Sequence, residues 1–356
     1  MPRRNLLVFT MIATGLSVFV AAGLLLALDV YLHHRYADVA GLNRRGYRGA
    51  VLPNKRAGER RVAVLGGSTA FGYGVRPAES FPALLERRLN DSAAPPPAAI
   101  HVANLAYNNE GAYSFRFTLE DYATLGVDAV VFYEGYNDLD PTPNRRVFRR
   151  SSPVFRLIGY LPIFPLVFEE KAMALRYGGN LEAAYDERKT VFRPTLAQRV
   201  TASGLEATAR VSRALERQVG RLTEAPLPPI DDGAVACSPR WHDYCQWVAS
   251  AVDDALAHRI KVMVVTQPYC SDLHRAQQRE LAGMLRRRFG DRPDAVYLNL
   301  GQGVVDLKDP AICFDGAHLT AAGNALIAER LVEPVRSLIH SPARTVDSQP
   351  RPEPLS

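Results

Sequence analysis

The sequence has few of the residues that mark several common kinds of site. It holds four cysteines in 356 residues, and no two show C-x-x-C spacing, which argues against zinc and dithiol redox motifs. No Gly-Lys-Ser or Gly-Lys-Thr occurs, so there is no P-loop. Gly72-Tyr-Gly74 is followed by Val75, Arg76 and Pro77, which fails the dinucleotide fingerprint. His33, His34, His101, His242, His258, His274 and His340 show no ligand spacing, so neither a metal nor a cofactor is expected. Positive charge is in modest excess, 43 Lys and Arg against 37 Asp and Glu. The arginines are scattered with no aromatic-interleaved basic stripe, and no nucleic-acid partner is expected.

Long uncharged runs are also scarce, and the longest stands out. After Arg3 and Arg4 come 24 uncharged residues, Asn5 to Leu28, before Asp29. As a helix at about 1.5 Å per residue this run reaches about 36 Å, beyond the roughly 30 Å of a bilayer's hydrocarbon core. A cleavable signal peptide has a shorter apolar region of about 7–15 residues. Residues 1–31 are therefore read as an uncleaved signal anchor, with cleavage near Ala21-Ala22 as the alternative. Arg3 and Arg4 favour a cytoplasmic N-terminus, whereas Arg35, Arg44, Arg45 and Arg48 oppose it. A long domain following an anchor is translocated largely regardless of charge, which places the body outside the cytoplasm, on a single-pass inner-membrane protein.

Cys237, Cys245, Cys270 and Cys313 allow three disulfide connectivities. Cys237–Cys245 with Cys270–Cys313 is preferred, as suits an oxidising compartment. Ser238-Pro239 reads as a helix start, which would set Cys237 and Cys245 too far apart, so four reduced cysteines remain the alternative.

Residues 32–60 read as a linker and 61–340 as one domain. Strand signals at Arg61–Leu65, Ile100–Leu105, Asp128–Tyr133, Lys261–Thr266 and Ala295–Leu300 alternate with helix signals at Glu79–Leu89, Tyr113–Leu125, Asp272–Phe289 and Thr320–Ile339. Short apolar strands alternating with helices predict a parallel sheet covered on both faces. Five strands suit a three-layer α/β/α, flavodoxin-like arrangement. An insertion over about 140–235 interrupts the pattern. It carries Leu157–Phe168, twelve uncharged residues broken by Pro162 and Pro165. That stretch suits a lid, a membrane-dipping loop or a packed segment. Leu196, Val200, Leu205, Val211, Leu215, Val219 and Leu222 then recur near helical spacing and are expected to face a core. Trp241 and Trp247 are candidates for sugar stacking, but Trp241 shares a helical face with Tyr244, Val248 and Val252, which favours the core. The tail, 341–356, reads as disordered.

Four motifs sit where strands meet helices. Gly66-Gly67-Ser68-Thr69 ends the first strand, Asn104 to Gly111 follows the second, and Gly135-Tyr136-Asn137-Asp138 follows the third. Cys313-Phe314-Asp315-Gly316-Ala317-His318 precedes the last helix. Each alone suits an ordinary turn or helix cap. Together they fall on the carboxyl side of a parallel sheet, where sites form. In this order they resemble the SGNH/GDSL hydrolase superfamily, over roughly 60–140 and 260–335. Gly66-Gly67-Ser68-Thr69 stands as a GGS variant of the GDS block, with Gly67 where the family often has Asp. Gly111 stands for the glycine block, although the Asn104–Gly111 spacing is longer than usual. The remaining two resemble the G-x-N-D and D-x-x-H blocks.

The resemblance implies an SGNH hydrolase fold and a catalytic Ser68, His318 and Asp315. It also implies an oxyanion hole from Ser68, Gly111 and Asn137, and no cofactor. A serine is a weak nucleophile until a histidine removes its proton, and that histidine needs a carboxylate to fix its tautomer. The implied function is a serine esterase acting on an O-acyl ester of a glycan or lipid, an O-acetyl group on an envelope glycan among them. Acyl transfer to a surface glycan and a silent polymer-binding module are the alternatives. The α/β-hydrolase elbow G-x-S-x-G is nearly matched by Gly66–Ala70, but there the serine follows several strands rather than the first.

Overall fold

The computed structural model describes residues 3–38, 41–91, 99–140, 142–176, 195–223 and 237–341. These form two compact units, Met1–Gly46 with Phe148–Leu227, and Tyr47–Val147 with Pro228–Ser356.

The second unit holds a five-stranded sheet. The strands are β1 (Arg60–Gly66), β2 (Ile100–Asn104), β3 (Ala129–Glu134), β4 (Lys261–Thr266) and β5 (Ala295–Asn299). Their order is β2-β1-β3-β4-β5, and every pairing is parallel. The apolar runs explain the centre: Val62 to Leu65 of β1 and Val130 to Phe132 of β3 are at most 1% exposed. Such strands need cover on both faces. Helices α3 (Phe81–Asn90) and α10 (Ala321–His340) pack together on one face. On the other face α4 (Tyr113–Asp121) packs on α8 (His242–Ala257), and α8 on α9 (Asp272–Phe289). Phe115 of α4 stacks on Phe132 of β3 with ring centroids 4.9 Å apart. Trp241 and Trp247 are both buried, so neither offers a face to a sugar.

Part of the expected linker belongs to this unit. Tyr47, Arg48 and Glu59 are buried. Arg61 Nε donates to Glu59 at 2.5 Å, and its terminal nitrogens donate to the carbonyls of Leu125 and Pro53 at 3.0 and 2.7 Å. A buried ion pair of this kind is tolerable only when the remaining donors are also satisfied.

The cysteines divide differently from expectation. Cys237 and Cys245 are bonded, with Cα atoms 6.5 Å apart. Ser238 does cap a helical turn, Pro239–Trp241, but Cys237 lies outside it and reaches back, within the usual 4.4–6.8 Å span. The pairing Cys270–Cys313 is not formed. Both thiols are free, Cys270 exposed and Cys313 buried. Cys313 is held in an antiparallel bridge to Leu319, and Cys270 lies in the loop after β4.

The first unit contains α1 (Arg3–Arg35), α5 (Pro153–Ile158), α6 (Phe164–Arg176) and α7 (Leu196–Thr223). The most apolar 18-residue window of α1, within Val8–Arg35, has a mean hydropathy of 2.3 and is wholly unburied. It is long and apolar enough to cross a membrane. Helices α6 and α7 pack side by side. Of the stripe residues on α7 whose burial is described, Leu196, Val200 and Val211 are exposed and Leu205 is half-buried, while Ala202 and Ala209 are fully buried. The side chains of Leu215, Val219 and Leu222 lie outside the described residues, as do 342–356 of the tail and most of the Pro-rich loop after α3.

Candidate active site

The strand order reverses between β1 and β3, and in an open parallel sheet the crevice at that switch point is where ligands bind. Ser68 stands there. It heads the four-residue helix α2 (Ser68–Phe71) directly after β1, with Gly67 as its N-cap. His318 Nε2 lies 2.8 Å from Ser68 Oγ, and His318 Nδ1 lies 2.7 Å from Asp315 Oδ2. Because Asp315 is an acceptor, Nδ1 carries the proton and Nε2 is left to accept from the serine hydroxyl.

The Asp315–His318 loop is built to hold that tautomer. Asp315 Oδ1 accepts the backbone N–H groups of Ala317 and His318 at 3.0 and 2.8 Å. Phe314 N–H donates to His318 O at 2.9 Å, closing the loop beneath the Cys313–Leu319 bridge. Partial burial works to raise the Asp315 carboxyl, but the hydrogen bonds from His318 and Ala317 outweigh it and leave it below its ordinary value. It is therefore anionic at neutral pH and able to support an imidazolium.

The third strand brings Asn137 to the same place. Asn137 Nδ2 donates to Glu110 O at 2.7 Å, leaving its second N–H available. A Cβ on Gly67 would sit 1.9 Å from that nitrogen. The Asn137 amide occupies the space a side chain at position 67 would need. Gly111 is similarly constrained: a Cβ there would meet the Asp138 carboxylate at 2.4 Å. Asp138 Oδ2 accepts the Ala112 N–H at 3.0 Å, and Gln277 Nε2 donates to Asp138 O at 2.9 Å. Burial pushes the Asp138 carboxyl up to about 7, partly offset by the Ala112 hydrogen bond. The structure thus brings Ser68, His318 and Asp315 into one hydrogen-bonded chain. It sets Asn137 against Gly67 on one side of the serine, and Gly111 against the next residue, Asp138.

The strand order β2-β1-β3-β4-β5 is that of a doubly wound, flavodoxin-like parallel sheet. No protein-family model and no curated protein matches its sequence. Solved structures are similar to it. A protein of the G-D-S-L family from Desulfitobacterium hafniense DCB-2 aligns at 11% identity with a TM-score of 0.40, covering 77% of this chain and 98% of that one. A family 3 carbohydrate esterase from Clostridium thermocellum aligns at 12% identity with a TM-score of 0.39, covering 79% and 99%. A family two carbohydrate esterase from the same organism aligns at 13% identity with a TM-score of 0.36; 81% of this chain spans 66% of that one. At these scores the likenesses carry no functional argument, and the reading of the site rests on its own geometry.

Several residues around this site had no sequence signal. Gln267, just past β4, accepts the Tyr136 N–H at 2.8 Å and donates to Thr69 Oγ1 at 2.5 Å. It ties the serine turn to the asparagine turn. Arg48 donates to Phe71 O, Gly72 O and Val75 O at 2.5, 2.6 and 2.5 Å, and its guanidinium lies 4.4 Å from the centre of the Phe71 ring. Burial lowers this guanidinium to about 10, so it stays charged. Tyr73 packs its ring 4.9 Å from that of His318. Tyr73 and Phe314 are both exposed, and the site between them is open.

Proposed function

We propose that this chain is a membrane-anchored serine ester hydrolase that removes an O-acyl group from a glycan on the outer side of the cytoplasmic membrane. The observation that carries the reading is the unbroken chain Ser68 Oγ, His318 Nε2, His318 Nδ1, Asp315 Oδ2, at 2.8 and 2.7 Å. His318 removes the Ser68 proton as Oγ attacks the ester carbonyl. The oxyanion is stabilised by the Ser68 N–H at the head of α2, the Gly111 N–H and the free Asn137 N–H. His318 then protonates the leaving alcohol. Water, activated by the same imidazole, releases the acid and restores the serine. A bulky glycan is favoured by the openness of the site, with the Asp315 side chain half exposed and Tyr73 and Phe314 unburied beside it. The Cys237–Cys245 disulfide supports an oxidising compartment. The same openness leaves room for a sugar hydroxyl to replace water, which would make the enzyme an acyltransferase.

The decisive test uses the full chain in detergent micelles with a fluorophosphonate probe. Labelling is expected in the wild type and absent in Ser68→Ala and His318→Ala. A folded wild type that does not label would overturn the reading in favour of a silent polymer-binding module. Product analysis with an acetylated glycan, with and without a second glycan acceptor, then separates hydrolysis from transfer.

A further inference from the structure

We propose that Leu157 and Ile158 insert into the interfacial layer of the bilayer that α1 crosses, giving the first unit a second point of attachment to the membrane surface. The proposal rests on the reading of α1 as a membrane anchor.

Asp29 is the first charged residue after the 24 uncharged ones, so it marks where α1 leaves the hydrocarbon. A carboxylate at that height must be satisfied, because lipid offers no donors. Asp29 is 2% exposed. Its oxygens accept Tyr160 OH at 2.6 Å, Ile163 N–H at 2.8 Å and Phe164 N–H at 2.7 Å. One turn further on, the two ring nitrogens of His33 lie 3.1 Å from Leu42 O and 3.0 Å from Leu161 O. Residues 160–164 are therefore fastened to α1 at the level of Asp29. Tyr31 is 59% exposed at that level, as expected of an aromatic at a membrane–water boundary.

Leu157 and Ile158 end α5, three and two residues before Tyr160. At about 3.5 Å per residue they lie within about 10 Å of it. The interfacial layer is about 5–8 Å deep on each side of the core, so both side chains fall within reach of it. They are 61% and 69% exposed, whereas Phe155, Leu161, Ile163 and Phe164 of the same stretch are buried. The fold has sorted this segment, covering Phe155, Leu161, Ile163 and Phe164 and leaving adjacent Leu and Ile outside. Basic residues flank the pair. Arg44 and Arg45 are exposed, Arg44 O accepts the Leu161 N–H at 2.9 Å, and the Arg45 guanidinium reaches Gly159. Arginines at this height suit anionic headgroups, and apolar residues between them suit the layer beneath.

The test uses the full chain reconstituted in vesicles of phosphatidylcholine and phosphatidylglycerol. Cys270, the exposed thiol, is first replaced by serine. Single cysteines at Ile158→Cys and Leu24→Cys are then labelled with an environment-sensitive fluorophore. Lipids carrying a spin label shallow or deep in the acyl chain serve as quenchers. The Ile158 label is expected to be quenched several-fold relative to vesicles without spin-labelled lipid, and more by the shallow lipid than by the deep one. The Leu24 label is expected to respond to the deep lipid. An Ile158 label that spin-labelled lipid does not quench, beside a quenched Leu24, would overturn the proposal while leaving the anchor intact. An unquenched Leu24 would overturn the anchor itself and the proposal with it.

Discussion

Single atoms decide much at this site. Gly67 has no side chain because Asn137 Nδ2 fills the place of one. Gly67→Ala is expected to displace that amide and so remove one oxyanion donor, an effect typically worth about 10²–10³ in rate. Steady-state hydrolysis of an activated ester would show it mainly in kcat, with the fluorophosphonate reaction slowed in parallel. Asp138 shapes the site from behind. Its carboxyl titrates near 7 in the folded protein because it is buried, against about 3.9 in an unfolded chain. Between those values the folded state holds a proton that the unfolded state has released. Stability therefore falls as pH rises from about 4 to about 7 and is level beyond. Asp138→Asn keeps an acceptor for the Ala112 N–H and cannot ionise. It should gain on the order of 2 kcal/mol over wild type between pH 5 and pH 8, measured by denaturant unfolding at the two pH values. Ser68, Asn137, Asp315 and His318 stood out in the sequence because the motifs that hold them, taken in order, resemble the SGNH/GDSL blocks, although each alone suits an ordinary turn or cap. Gln267 and Arg48 were not, because any polar side chain that reaches those carbonyls and hydroxyls would serve, and reach is a tertiary property.

At the scale of elements, α2 is too short to hold itself. A helix of four residues satisfies almost none of its own carbonyls, and Arg48 supplies what is missing at its C-terminal end. Arg48→Met is expected to strand buried acceptors, each costing about 1–3 kcal/mol. The melting temperature should drop, and Ser68 labelling should slow even in the folded fraction. The disulfide ties the first turn before α8 to that helix across a separation of 8 residues. Closing so small a loop is worth about 2–3 kcal/mol by chain entropy, and Cys237→Ser should lose about that much in denaturant titration. Strand and helix positions agreed with periodicity to within a residue or two at β4, α9 and α10, where apolar runs are bounded by clear caps. Ser271 and Thr320 cap the two helices by accepting the N–H groups of His274 and Gly323. Helix α7 departed from expectation because periodicity records which residues share a face and not which face finds a partner.

For the whole molecule, the central matter is how a chain with an apolar N-terminal helix carries its chemistry. If α1 remains uncleaved across the membrane, the protein should sediment with membranes, resist carbonate extraction and dissolve in detergent. Cys270, exposed in the second unit, should react with a membrane-impermeant maleimide added outside the cytoplasmic membrane; protection until lysis would place the body on the cytoplasmic side. The amino-acid order by itself determined the long apolar N-terminal helix, the alternation of strands and helices and the four short motifs. Each of these is local: a run length, a period, or a side-chain chemistry within a few residues. Only the tertiary structure decided the rest. It joined residues 1–46 to 148–227 as one unit, left Cys270 and Cys313 unbonded, and set His318 against Ser68 across 250 positions of sequence. Those outcomes depend on which buried surfaces meet, and packing in three dimensions is a condition on the whole chain that no short stretch of it contains.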